Sequence, residues 1–205
     1  MARYTGPTDK ISRRFGVPLF GPSKALERRN YPPGAHGGKR GGRRPKKSEY
    51  ALALAEKQKL RFQYGVLEKQ FRRYFGEAQR RRGVTGTILI QLLETRLDNV
   101  IYRFGFANTR RGARQFVNHG HILVNGRRVD IPSYDCSPGD IITVRDNPRS
   151  KQLALKGIDM TQAAVSPEWV SVDKDNLNGS VLRVPEREEV DPMVNEQLVV
   201  ELYSR

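Results

Sequence analysis

The sequence predicts an α+β protein, and two observations carry that expectation. Between residues 48 and 104 apolar side chains recur at helical spacing, and between 109 and 144 a helix-length segment leads into short apolar runs around an Asn-Gly pair. A third observation is charge: 205 residues carry a formal net charge of +15 at pH 7. A chain of this length makes one large domain or two small ones.

Residues 1–47 contain 8 glycines and 6 prolines among many cations, with "YPPGAHGGKRGGRRPKK" as the extreme. So little apolar surface cannot offset the entropy of ordering. This part is expected to be a basic arm that orders on a partner, using Tyr4, Phe15, Leu19, Phe20 and Leu26 as apolar anchors. Ser48 then reads as an N-cap, with Glu49 in the first turn of a helix "EYALALAEKQKLRFQ" that ends before Gly65. "VLEKQFRRYF" reads as a second helix. Leu67, Phe71 and Tyr74 form its apolar stripe, and Lys69, Arg72 and Arg73 form a cationic one. Gly76 is expected to interrupt it, with "EAQRRR" as a short separate helix, and Thr87 to cap "ILIQLLE".

"TRLDNVIYRFGF" renews the pattern with Leu97, Val100, Ile101 and Phe104, which puts Arg96 and Arg103 on one side of a helix that stops at Gly105. Thr109 caps the next helix. At about 100° per residue, Arg110, Arg111 and Arg114 share one arc, and Ala113, Phe116 and Val117 another. One face is thus expected to pack and the other to present guanidinium groups. Gly120 closes the helix. "HILV", the type I′ turn "NG", "RRVDI", the turn "SPGD" and the strand "IITV" follow. After that, "NPRSKQLALKGIDMTQAAV" is helix or loop, "PEWVSVD" a strand, "LNGSVLRVP" a hairpin and extended chain, and "EQLVVELYS" helix or strand.

The charge is uneven: +10 over residues 1–50, +5 over 51–95, +4 over 96–145 and −4 over 146–205. A polyanion is therefore expected against the first 145 residues, with nucleic acid ahead of an anionic membrane. The segment Thr109–Val129 holds five arginines and no acid, whereas ordinary solvated faces mix signs. Arg127 and Arg128 flank its tight turn and, if helix and hairpin pack together, join Arg110, Arg111 and Arg114 in one phosphate-binding surface. There is no run of eighteen apolar residues and no apolar signal-peptide core, so a cytoplasmic protein is expected, with no membrane partner. The single Cys136 excludes an intrachain disulfide and a multi-cysteine metal site, and it lacks a base partner for nucleophilic work. No cofactor, metal or small-molecule substrate is expected. For His119 and His121, RNA contact and simple capping or packing weigh equally. Arg-Leu-Asp at 96–98 invites an enzyme reading, but Asp98 serves better as support for a helix end or an arginine partner, and no second catalytic cluster follows. Helix, helix and hairpin also resemble a winged DNA-binding motif, but these arginines suit backbone contacts more than base edges.

The strings "MARYTGP", "PPGAHG", "SEYALALAEKQKLRFQYGVLEKQFRRYF", "ETRLDNVIYRFGFANTRRGARQFVNHGHILVNGRRVDIPSYDCSPGD" and "NEQLVVELYSR" resemble, in order and nearly end to end, the bacterial-type small-subunit ribosomal protein S-four family. The resemblance implies two domains. A basic arm (1–47) precedes a helical domain (48–95) that the tail (175–205) completes, and a small α+β RNA-binding module (96–174) is inserted. It implies a non-catalytic constituent of the small subunit that binds 16S rRNA at a helix junction and nucleates the 30S body. It further implies contact with ribosomal protein S-five and other 30S proteins, and a share with S-twelve in decoding accuracy. Arg43, Arg44, Lys46 and Lys47 match positions near the mRNA entrance. The four N-terminal cysteines with which some members hold zinc are absent. The expected RNA-binding set is completed by Arg3, Arg13, Arg14, Lys69, Arg72, Arg73, Arg96, Arg103 and His119. The acidic tail, with Glu186, Glu188, Glu189 and Asp191, meets a protein neighbour or solvent, and the resemblance favours the neighbour. The ribosome of the cytoplasm is the implied location, although an organelle-encoded copy would need no transit peptide.

Overall fold

A computed structural model describes residues 3–34, 37, 48–162, 165–190 and 194–204. The chain is α+β and divides into two compact units, residues 1–86 with 192–205, and residues 87–191. These limits differ from those expected. Most of the helix that ends at Glu94, and residues 175–191, cluster with the second unit, and Leu177 and Val181 of the latter stretch lie in its core.

In the first unit, α1 (Thr8–Phe15) and α2 (Lys24–Arg28) form within the N-terminal arm. Tyr4, Phe15 and Phe20 surround the ring of Phe62 at 5.3–6.4 Å, and Ile11 and Leu19 are buried. The described part of the arm is therefore folded on its own protein, using four of the five expected anchors. α3 (Glu49–Gln63) has the expected limits, and the Ser48 hydroxyl accepts from Ala51 N. α4 (Glu68–Arg80) runs straight through Gly76, contrary to expectation. An interior glycine costs a helix only about 1 kcal/mol, and here Phe71, Phe75 and Ala78 are buried on both sides of it. α9 (Glu196–Ser204) packs on α3. It settles as a helix because Tyr203 stacks on Phe75 at 4.6 Å and donates its hydroxyl to Glu68 at 2.8 Å, while Lys57 holds the other carboxylate oxygen at 2.8 Å.

α5 (Thr85–Glu94) begins two residues before the expected cap and carries the chain into the second unit. There α6 (Leu97–Arg103) and α7 (Arg110–Asn118) pack together over a five-stranded antiparallel sheet. The strands are β1 (Ile122–Val124), β2 (Arg127–Arg128), β3 (Ile141–Val144), β4 (Val170–Asp173) and β5 (Asn178–Val181), in the order β2-β1-β3-β5-β4. Ile122, Val124, Ile142 and Val181 alternate inward and meet Leu97, Val100, Ile101, Phe104, Phe116 and Trp169 in one core. The Asn125-Gly126 turn has positive φ at both residues, as the type I′ hairpin requires. The Asn125 side chain also accepts from Ile141 N and donates to Asp140, which ties the turn to β3. α8 (Pro148–Met160) is a helix capped by Asn147, and Gly157 lets it pass directly over the backbone of Phe106.

Candidate nucleic-acid interface

Two buried carboxylates organise the cations of the second unit. Glu94 ends α5 and Asp98 stands in the first turn of α6. A buried carboxylate is costly unless charge and hydrogen bonds match it. Arg103 donates Nε and Nη2 to the two oxygens of Glu94 at 2.9 and 2.8 Å, and Asn99 Nδ2 donates at 2.7 Å. Arg110 Nη2 stands 4.0 Å away, its Nε donates to Asn99 Oδ1 at 2.8 Å, and its guanidinium lies 4.6 Å over the Tyr102 ring. Asp98 receives Arg96 Nε at 3.0 Å and Nη2 at 2.7 Å, with Arg114 Nη1 at 3.7 Å. Arg110 and Arg114, one turn apart on α7, thus reach different carboxylates.

This corrects the arc expected on α7. Arg114 is 5% exposed and Arg96 1%, so neither guanidinium lies on the surface. Arg96 also precedes α6 in extended conformation and does not share a helix side with Arg103. Arg103 and Arg110 are half-buried, each with an edge at the surface, and Arg111 is exposed. Spacing places a side chain around its own helix axis; it carries no information about carboxylates on the neighbouring helix. Asp98 is buried against Arg96 and Arg114, the arginine-partner role expected for it. Cys136 is buried, and burial pushes its thiol pKa well up, so it is an inert packed residue.

A second cluster lies where α7 meets the hairpin. Arg128 is exposed on β2, and its guanidinium fills the space that a Cβ on Gly120 would occupy. His121 stacks on Phe116 at 5.0 Å and shares a 2.8 Å hydrogen bond between its Nδ1 and Ser150 Oγ. The pKa of His121 is lowered, first by burial and then by the positive charges of His119, Arg145 and Arg128. Two guanidinium groups and a second imidazole therefore act on one imidazole. Helix and hairpin do pack together, and they bring Arg128 and His119 into one cationic cluster. Arg145, just past β3, belongs to the same cluster. Sequence reasoning missed it because it stands alone in its segment, and only strand pairing brings it to His121, whose carbonyl accepts from Arg145 N. Arg127 is exposed beside the turn.

In the first unit, Arg3, Arg14, Lys69, Arg72 and Arg73 are exposed, and Arg72 stands 3.8 Å from Glu68. Arg13 is engaged internally: its Nε donates to the carbonyls of Arg29 and Tyr31, both at 3.2 Å. Arg43, Arg44, Lys46 and Lys47 lie outside the described residues. Among the described residues no cluster of three His, Cys, Asp or Glu is placed to hold a metal, and no helix is long and apolar enough to cross a membrane.

Comparison with known proteins places this geometry. Residues 3–94 match the family model described as "Ribosomal protein S4/S9 N-terminal domain", and residues 95–142 match "S4 domain". The chain is 63% identical over its full length, and that of the relative, to "Small ribosomal subunit protein uS4" of Akkermansia muciniphila. It is 54% identical, again over both full lengths, to the proteins of that name from Opitutus terrae and Persephonella marina. The cationic helix-and-hairpin unit, the helical unit and this end-to-end similarity agree, and the chain belongs to the uS4 family of ribosomal proteins, which is structural and not enzymatic.

Proposed function

We propose that this chain is a structural constituent of the small ribosomal subunit that binds 16S rRNA and nucleates the 30S body. The cluster of Arg128, Arg145, His119 and His121 at the junction of α7 and the hairpin is the observation that carries the RNA-binding reading, together with exposed Arg111 and Arg127. The mechanism is electrostatic and geometric. Folded elements hold guanidinium groups in fixed positions, phosphates displace counterions, and the shape of a helix junction supplies specificity more than base edges do. Arg103 and Arg110 keep their carboxylate partner, and the Glu94 network they form carries one positive charge in excess. Arg3, Arg14, Lys69, Arg72 and Arg73 extend the contact from the first unit. Arg43, Arg44, Lys46 and Lys47 serve the mRNA entrance, and the acidic tail meets a protein neighbour, with ribosomal protein S-five the expected contact and decoding accuracy the shared consequence.

The test is a salt titration of binding to the 5′ domain of 16S rRNA, with an unrelated structured RNA of equal length as competitor. With six to ten phosphate contacts, affinity should fall by about 10³–10⁵ between roughly 50 and 200 mM salt, while preference for the junction RNA persists. Arg111→Glu and Arg128→Glu should each weaken binding with the melting curve unchanged. Equal binding to both RNAs, lost together as salt rises, would reduce the protein to a generic polyanion trap.

A further inference from the structure

His121 is the group on which the cationic cluster at the junction of α7 and the hairpin converges. It is half-buried, with its ring stacked on Phe116 at 5.0 Å. His119, at the end of α7, has its ring centroid 6.0 Å away. Gly120, between the two histidines, has no Cβ, and the Arg128 guanidinium of β2 takes that space. Arg145 follows β3, and its N–H donates to the His121 carbonyl at 2.8 Å. α8 contributes Ser150, flanked in the chain by Arg149 and Lys151, and Lys151 pairs with Asp146 at 2.7 Å. Among the described residues the charges that act on the imidazole are those of His119, Arg145 and Arg128, with no carboxylate among them. Such a cluster repels itself, and it gains most from an anion that enters.

This environment keeps the ring mostly neutral at neutral pH in the free protein. Burial lowers the His121 pKa below 6.5, and repulsion from the neighbouring cations lowers it further. The repulsive part is reversible. A phosphate seated among Arg128, Arg145 and His119 cancels their repulsion and adds an attraction of its own. The ring is already half-buried, so the phosphate brings more attraction than new desolvation. Ser150 accommodates the change. A hydroxyl donates to a bare Nδ1 or accepts from a protonated one, so its 2.8 Å contact persists in either charge state. The proton comes from solvent and goes to whichever ring nitrogen is bare, and no other covalent bond changes.

We propose that RNA binding at this cluster is coupled to uptake of a proton by His121, which makes the imidazole neutral in the free protein and cationic against an RNA phosphate. The proposal rests on the RNA-binding reading above and adds a regulation to that site, since affinity then depends on pH. The sign follows from linkage. Affinity is highest and constant below the lowered pKa of the free protein. It falls as pH rises from there to the raised pKa of the complex, by up to about tenfold per pH unit, and is constant above.

Two measurements on the full-length protein test it, each made with the 5′-domain transcript and with the unrelated RNA. The first follows deuterium exchange at the C2 carbon of each histidine ring by mass spectrometry, from about pH 5 to 9. The midpoint for His121 should move up in the complex by about one pH unit or more. A midpoint that stays in place or moves down overturns the proposal, and this readout needs no variant. The second is calorimetry of binding near about pH 7 in two buffers of different ionisation heat, which counts the protons taken up. The wild type should take up a fraction of a proton, and His121→Gln should lose most of that fraction. No uptake by the wild type, or a folded His121→Gln with the wild-type uptake, overturns the proposal. Tight binding with His121 unmoved leaves the RNA reading to the other cations and removes only the proton coupling, whereas no binding to either RNA removes both. Loss of preference for the junction RNA strikes the ribosomal reading, while the His121 midpoint on either RNA still judges the coupling.

Discussion

Glu94 has no exposed surface, and Arg103, nine residues further on, grips it with two hydrogen bonds of 2.9 and 2.8 Å, one to each carboxylate oxygen. The pair joins the end of α5 to the end of α6, and Asn99 links it to Arg110 on α7. Three helices are thus held through one carboxylate. The same carboxylate fixes how far Arg103 and Arg110 project, so the stability of the unit and the aim of its cations share one cause.

Glu94→Gln should destabilise the protein by about 1–3 kcal/mol, because Arg103 and Arg110 lose their shared anion while each keeps an edge at the surface. Adding Arg103→Met should recover part of the loss, since both charges then go. Denaturant titration of the two variants checks this. Equal stability of Glu94→Gln and the wild type would mean that the network contributes no net stability.

Gly157→Ala sets two effects against each other. Alanine is favoured over glycine in a helix interior by about 1 kcal/mol. A Cβ at this position, however, would overlap the backbone carbonyl of Phe106, which cannot swing aside as a flexible side chain would. Overpacking costs about 1–3 kcal/mol, so the clash should win and the melting temperature fall. Gly76→Ala in α4, where a Cβ meets nothing within 4 Å, should raise it.

Tyr203→Phe removes the hydrogen bond to Glu68 and keeps the stacking on Phe75. A loss of about 1 kcal/mol is expected. Glu68 should respond as well. Burial raises its pKa, but hydrogen bonds from Lys57 and Tyr203 outweigh burial and hold it below the ordinary value of 4.5. With Tyr203 replaced, the pKa should move up, and carbon-detected NMR titration of the carboxyl would show it. No movement would mean that Lys57 alone sets the pKa.

His121 carries a pH dependence of definite sign. Its folded pKa lies below 6.5, so the unfolded chain takes up a proton first as pH falls. Stability from this group is therefore complete above 6.5, declines as pH drops from there to the lowered folded value, and is constant below it. Thermal melts from about pH 7.5 to 5 should show a smaller decline for His121→Gln than for the wild type. Equal declines would assign the effect to other groups.

The local signals in the sequence were sufficient where one segment decides its own structure. Ser48, Thr109, Asn125-Gly126 and Gly120 mark the cap, turn and stop positions found in the structure, because capping and positive φ depend on a few neighbouring residues. Helical periodicity also separated Ala113, Phe116 and Val117 as the buried side of α7. It missed the continuity of α4 through Gly76, since burial of Phe71, Phe75 and Ala78 outweighs a local propensity. It also missed the packing of Tyr4, Phe15 and Phe20 on Phe62, since that aromatic partner stands more than forty residues away.

What the sequence by itself determined is the α+β class, most of the elements and the cationic surplus, since composition and short-range pattern carry those directly. Only the tertiary structure decided which cations face solvent. Arg114 and Arg111 stand three residues apart on α7, yet one is buried against Asp98 and the other exposed. Arg145 and Arg128, from separate segments, converge on His121. The physical reason is that a charge is assigned by its partner. Asp98, Glu94 and His121 meet those arginines through the packing of helices and the pairing of strands, and the spacing of residues along one helix does not encode either.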